Sequence, residues 1–391
     1  MTDPNILQSF FLIFSGAALV ASLALYTRQP MLIAYIALGC LVGPYGIALV
    51  DDTALLAGIA EIGIIFLLFL VGLDLPTHKL KNMLGESLLT GLGTTAVFFS
   101  AGAAVMLGFG YSVTEAVIVG IGITFSSTIL GIKLLPTTVL HHRHVGEIVI
   151  SLLLVQDLLA IIALLLIGYL GGAGEQGNMT LLALALGLPA VIAGALLIVR
   201  YAVLPLLQRF DAFHEYIFLM AIGWCLAIAQ AAHSLGLSYE IGGFIAGVSL
   251  ATSPIAQYIA THLKPLRDFF LVLFFFTVGA SINLQVLASV WLPILTLAAV
   301  ILVLKPWTFA RLLHLQGETL SSAREVGLRL GQASEFSLLV SYMALNTLLL
   351  SSEGAVILQT ATVITLLASS YFVVSRSVSY THLTLPTILL V

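Results

Sequence analysis

Thirteen runs of mostly apolar residues follow one another along the chain, separated by short connections that carry most of its charge and nearly all of its Lys and Arg. A helix needs about 20 such residues to cross the hydrocarbon core of a bilayer. The runs fall at 6–25, 31–50, 55–73, 88–109, 114–132, 145–169, 179–198, 216–235, 240–251, 269–282, 286–310, 330–348 and 355–374, and only the ninth and tenth are short. Lipid offers the backbone no hydrogen-bond partner, so each run must satisfy its own. The pattern therefore predicts an all-α polytopic membrane protein of about 13 transmembrane helices.

Charge sets the orientation. Of 14 Lys and Arg residues, all but Lys305 lie in alternate connections: Arg28, then Lys79 and Lys81, then Lys133 and Arg143, then Arg200 and Arg209, then Lys264 and Arg267, then Arg311, Arg324 and Arg329, then Arg376. Basic residues stay on the cytoplasmic side, which puts the N-terminus outside and the C-terminus in the cytoplasm. At 60% hydrophobic and 8% charged residues, with mean hydropathy +1.14, a water-soluble domain is excluded, because too little polar surface exists to cover it. No basic cluster is dense enough for nucleic acid, and Cys40 and Cys225 give neither a disulfide framework nor a metal spacing. Asp3 is the one charged residue before the first run, and with no basic n-region or small-residue cleavage site a removable signal peptide is not expected.

The chain repeats itself. Tyr35, Gly39 and Gly43 recur as Tyr239, Gly243 and Gly247, Phe69, Val71 and Gly72 as Phe276, Val278 and Gly279, and more loosely 122–130 as 331–339. Runs 2 to 6 (31–169) thus resemble runs 9 to 13 (240–374). An offset of seven spans sends the copies through the membrane in opposite directions, the inverted-topology repeat of many secondary transporters. Runs 5 and 12 occupy equivalent places and both are polar: Thr124, Ser126, Ser127 and Thr128 in one, Gly331, Gln332, Ser334, Glu335 and Ser337 in the other. Two broken, crossing helices would explain this, since irregular backbone at membrane depth survives where it lines a cavity. Close helix packing through small residues would explain it too.

Asp157 stands at the centre of run 6 with apolar residues on both sides. A carboxylate there costs about 2.5 to 3.5 kcal/mol on insertion scales, so it needs a function or a partner. Gln156 offers a carbonyl and an amide at the same depth. Two readings are open for Lys305: snorkelling to the cytoplasmic surface, about 9 Å of helix rise away at Arg311, or an interior role paired with Asp157 or Glu335. Glu335 itself reads as a structural counter-ion before a substrate ligand. His141, His142 and His144 form a cytoplasmic cluster that a solvated loop explains.

These residues bring a resemblance into view. EIGIIFLLFLVGLDL at 61–75, Ser126-Ser127-Thr128, VQDLLAI around Gln156-Asp157, GVSLATS followed by FFFTVGASINL, and GQASEFSLL together resemble the membrane domain of Kef-type monovalent cation (potassium):proton antiporters, in the cation:proton antiporter superfamily with its NhaA/NapA-like fold. The resemblance covers residues 6–374. It implies a homodimer in a bacterial inner membrane, each protomer having a scaffold and a mobile core, with Asp157 as the ion- and proton-binding carboxylate beside crossed, unwound runs 5 and 12. It also implies a core lysine at Lys305, and Gln156 where charge-moving relatives carry a second acid. Two departures stand out. ATHLKPLRDFF at 260–270 lacks the acidic residues such members place before run 10, so glutathione control does not carry over. Nor does a cytoplasmic nucleotide-binding domain follow; residues 378–391, with VSYTHLTLPT, resemble translated sequencing-adapter sequence and are set aside as a non-native tail.

The function expected is exchange of a monovalent cation, K+ ahead of Na+, for protons, electroneutral and without a cofactor or a metal beyond the transported ion. One carboxylate can hold a proton or a desolvated cation and not both, and the hydroxyls of Thr124, Ser126 and Ser127 with the Gln156 carbonyl can replace part of the ion's water shell. A sodium-coupled solute symporter of related fold is the alternative. An intramembrane aspartyl protease would need two central Asp residues, and Asp74 lies at the end of a run.

Overall fold

The computed structural model describes residues 6–27, 29–50, 53–74, 77–128, 130, 144–182, 186–210, 213–251, 253 and 255–381, and every regular element among them is helical. The first half of the chain supplies α1 (Ile6–Tyr26), α2 (Met31–Val42), α3 (Thr53–Leu73), α4 (Thr77–Gly108), α5 (Val113–Gly122) and α6 (His144–Leu182). The second supplies α7 (Leu188–Ile198), a π-helical turn (Val199–Val203), α8 (Leu204–Arg209), α9 (His214–Ser234), α10 (Tyr239–Ala251), α11 (Ala256–Ala280), α12 (Leu284–Ser289), α13 (Trp291–Leu315), α14 (Leu320–Arg329), α15 (Glu335–Asn346) and α16 (Ser352–Thr381). Among the described residues, seven helices are long and apolar enough to cross a membrane, and four shorter apolar helices accompany them. Arg28, Lys133, His141, His142, Arg143 and residues 382–391 lie outside the described residues.

Helix ends depart from the apolar runs where proline or polar flanks intervene. The second run reaches residue 50, yet α2 stops at Val42, because Pro44 has no N–H and disfavours helix at Gly43. The chain then doubles back, with Ile47 N–H donating to Leu41 O and Leu49 N–H to Val42 O. The seventh span continues past 198 to Arg209 through a π-helical turn just before Pro205, which has no N–H to continue the α-helical ladder. The tenth run is the apolar end of the 25-residue helix α11, whose polar first half hid it from the hydropathy pattern.

The chain divides into two compact units: Met1–Ala17, Ile36–Asn82 and Leu165–Ser281 form unit 1, and Ala18–Tyr35, Met83–Leu164 and Ile282–Val391 form unit 2. Unit 1 packs α3 against α10 and α11 around Phe69, Trp224, Ile241, Ala246 and Leu250. Within the apolar stretches of these helices, glycines decide where backbones meet. A Cβ on Gly39 would strike the Phe276 carbonyl and Ala280 N, and one on Gly247 would strike the Phe69 carbonyl and Leu73 N. The same contact thus recurs at a shift of 208 for the glycine and 207 for the phenylalanine. The sequence match at 204 is one helical turn short. Glycines four apart share a face, so the pattern can slide by one turn without losing its matches.

Unit 2 repeats with the same spacing. α5 and α14 have 10 residues each, start and end 207 apart, and are capped by Ser112 and Thr319, whose side chains accept from Glu115 N and Ser322 N. The turns before them place Gly110 and Gly317 at φ 85° and 101°. Gly120 abuts the Phe99 carbonyl as Gly327 abuts that of Pro306. The looser match of 122–130 with 331–339 is therefore two residues out of structural register: Gly122 and Gly331 are alike in identity and differ in place.

Candidate functional site

Runs 5 and 12 are both interrupted within unit 2. Helix α5 ends at Gly122 and helical backbone resumes at Thr128; α14 ends at Arg329 and α15 begins at Glu335. The two irregular stretches meet. Ser126 Oγ donates to Leu330 O at 2.8 Å, and Gln332 Nε2 lies 3.5 Å from Ser127 O. Thr124, Ser126, Ser127, Gln332 and Ser334 are all buried. The freed backbone is satisfied by neighbouring spans in a matched way: Ser126 N–H donates to Gln156 Oε1 on α6 at 3.0 Å, and Ala333 N–H to Thr365 Oγ1 on α16 at 3.1 Å.

Charge follows the helix ends. The C-termini of α5 and α14 present carbonyl oxygens with partial negative charge, and Lys305 on α13 fills the space between them. Its Nζ lies 2.8 Å from Phe125 O, 2.9 Å from Gln332 O, 3.2 Å from Ile123 O and 3.4 Å from Thr124 O. The ring of Phe98 sits 5.1 Å away, within cation–π range. Lys305 is 1% exposed, so it does not snorkel, and its partners are carbonyls in place of the carboxylates expected from sequence. Glu335 sits at the opposite kind of end, the N-terminus of α15, where a carboxylate is favoured. Its oxygens accept from Ser127 Oγ at 3.1 Å and Ser334 Oγ at 2.9 Å.

Asp157 is left over. It lies on α6 beside Gln156, and its Oδ1 is enclosed without a hydrogen-bond partner among the described residues. An enclosed acceptor without a donor is costly unless something else occupies the place. Gln156 is differently placed from the sequence reading: its Oε1 is taken by Ser126 N–H and its Nε2 points at Thr124 O, 3.4 Å away, so it holds the unwound backbone. Thr124 Oγ1, Ser126 Oγ and Ser127 Oγ each donate one hydrogen bond, and Ser127 Oγ also accepts from Leu130 N–H at 3.3 Å; a hydroxyl oxygen has two acceptor lone pairs. No group of three or more His, Cys, Asp or Glu that could hold a metal exists among the described residues.

Thr365, Ser369 and Phe98 were not singled out from sequence, whereas Gln332 was, as one of the polar residues of run 12. Ser369 Oγ donates to Gln332 Oε1 at 3.0 Å, fixing the side chain that reaches across to Ser127. Thr362, Thr365 and Ser369 recur at helical spacing in an apolar span, and that polar stripe was the available signal. Phe98 offered none, since a phenylalanine in an apolar run is what lipid or core would select.

Known proteins share the family and the fold of this chain. The chain matches the family described as sodium/hydrogen exchanger, transmembrane, over residues 11–374. It is 30% identical over 383 residues to the glutathione-regulated potassium-efflux system protein KefC of Salmonella arizonae, covering 95% of this chain and 60% of that protein. It is 28% identical over 351 residues to K(+) efflux antiporter 4 of Arabidopsis thaliana, covering 87% and 59%. The chain thus spans about three fifths of the length of these relatives. Among solved structures, the sodium proton antiporter MjNhaP1 from Methanocaldococcus jannaschii superposes with a TM-score of 0.72 at 17% identity, covering 96% of this chain and 97% of that one, so the fold is shared.

Proposed function

The chain belongs to the sodium/hydrogen exchanger family, and from that premise we propose that it exchanges a monovalent cation for protons through alternating access at Asp157. The family is one of transporters, and this chain is a multi-pass membrane protein. The observation that carries the reading is the enclosed, unpartnered Oδ1 of Asp157 in the same unit as two unwound segments lined by hydroxyls and carbonyls. A proton or a desolvated cation can neutralise that carboxylate, and each excludes the other. Crossing only in the neutralised state gives exchange of one for the other without net charge. Thr124, Ser126 and Ser127 supply oxygens that a hard cation needs in place of water. K+ is favoured over Na+ because the relatives named above are potassium-efflux proteins.

The same reading includes thirteen spans, repeats at 31–169 and 240–374, a homodimer in a bacterial inner membrane, and termini outside and in the cytoplasm respectively. A sodium-coupled solute symporter finds no support among the relatives. The test is proton movement in proteoliposomes driven by gradients of K+, Na+ or Li+. Exchange with K+ or Na+ that disappears in Asp157→Asn supports the proposal; proton movement unaffected by that substitution removes it.

A further inference from the structure

We infer that the carbonyl oxygens of Ile123, Thr124, Phe125 and Gln332 form a monovalent-cation site of their own, whose resident occupant is the Lys305 ammonium and which a free potassium or ammonium ion fills when that side chain is shortened. Four oxygens lie between 2.8 and 3.4 Å of Nζ, contributed by two different broken segments. An ammonium has three N–H groups, so its fourth oxygen is held by charge and not by a donor of its own. The oxygens are backbone, held also by α5 and α14 and by the cross-bonds from Gln156, Ser126 and Ser369, so the cage has supports besides the lysine side chain. Both helix C-termini aim partial negative charge into it.

Rings of backbone carbonyls are how proteins replace the water shell of a monovalent cation. Ammonium and K+ are nearly the same size, whereas Na+ requires shorter oxygen distances than this cage offers. The repeat supplies a contrast: the position 207 residues before Lys305 is Phe98, whose ring closes the cage on one side. Lys305 therefore acts as a tethered ion that stitches the two broken segments together. The inference does not depend on which ion Asp157 carries, or on whether it carries one.

The experiment removes the Asp157 site first. Asp157→Asn and the double variant Asp157→Asn, Lys305→Ala are purified as full chains in nanodiscs, and melting temperature is followed against KCl, NH4Cl, n-propylammonium chloride, NaCl and choline chloride at constant ionic strength. Propylammonium replaces the atoms that Lys305→Ala removes. The double variant should gain several degrees, with saturation, from propylammonium, ammonium and K+, as expected for a ligand that binds only the folded state. Na+ and choline should give little, and Asp157→Asn alone should respond to none of them specifically. Equal responses to all five salts, no response, or the same cation dependence in Asp157→Asn alone would overturn the inference. Should Lys305→Ala not survive purification, Lys305→Leu keeps the stem beside Phe98 while vacating the ammonium position, and K+ and ammonium are then the discriminating probes.

Discussion

Residues 123–127 and 330–334 interrupt helices at places 207 apart, follow capped helices of 10 residues each, and receive a donor or an acceptor from the spans behind them in the same manner. Their surroundings differ at every charged position. Thr128 stands where the second copy has Glu335, Phe98 where it has Lys305, and Asp157 where it has Ile364. The backbone is duplicated and the charge is not. The asymmetry is one ammonium at the C-terminal ends, one carboxylate at an N-terminal end, and one carboxylate, Asp157, whose Oδ1 has no hydrogen-bond partner among the described residues; the exchange proposed above rests on that last group.

The largest effect should come from removing the unpaired member. Asp157→Asn keeps the shape of the side chain and cannot carry a proton or countercharge, so exchange in proteoliposomes should fall to background while the protein stays inserted and folded. Near-native exchange by this variant would mean that the asymmetry between Asp157 and Ile364 has no part in transport.

Next in size is a change in the kind of transport. With Gln156 neutral and one carboxylate cycling, exchange at balanced ion gradients should not respond to membrane potential. Gln156→Asp places a second acid at the same depth, and each charge moved across the field is worth about 2.3 kcal/mol per 100 mV. Potential-driven exchange in that variant, absent from the parent, is the expected result. Because Gln156 also holds Ser126 N–H and Thr124 O, the same variant should melt lower.

Lys305→Gln should cost on the order of 3 kcal/mol, read as a lower melting temperature, because a neutral amide cannot serve four buried carbonyls and unsatisfied groups are expensive. The matched substitution Phe98→Leu keeps the cage oxygens and should cost less. Equal losses would show that packing, and not the ammonium, joins the two segments.

Much of this was legible in the sequence, and the reasons for the rest are specific. Lipid forces long apolar runs and segregated Lys and Arg, so the spans and the exceptional Asp157 and Lys305 stand out from composition alone. Thr124 to Thr128 and Gln332 to Ser337 stand out because polar residues at that depth demand partners. Register did not, because glycines at Gly39, Gly43, Gly243 and Gly247 repeat every four residues and match equally well one turn away. Neither did the partners of Lys305: backbone carbonyls have no letter in a sequence, so a search for its partner among side chains finds Asp157 and Glu335 first. Helix ends beyond the hydrocarbon, as in α4 and α11, were hidden for the same kind of reason, since hydropathy reports lipid contact and not helicity.

The smallest effects belong to two ties that again compare the copies. Ahead of α5, Tyr111 Oη donates to Glu353 Oε2 at the start of α16, at 3.2 Å; ahead of α14, the equivalent position is Glu318, whose Oε1 lies 2.7 Å from His144 Nε2 at the start of α6. Burial first, and then the neighbouring Glu353 carboxylate, pushes the Tyr111 hydroxyl from 10.0 up to about 12. The folded chain thus holds this proton longer than the unfolded chain does, so its contribution is complete below pH about 10 and is lost as pH rises through about 12. Tyr111→Phe should lower stability by about 0.5 to 1 kcal/mol at neutral pH and flatten the alkaline limb of a melting-temperature profile. His144→Gln, with a side chain 67% exposed, should change stability by no more than about 0.5 kcal/mol and leave the alkaline limb as it was. If both variants instead lose the same amount and leave the alkaline limb alone, the two ties are equivalent mechanical links and the tyrosine proton has no share in the stability of the first.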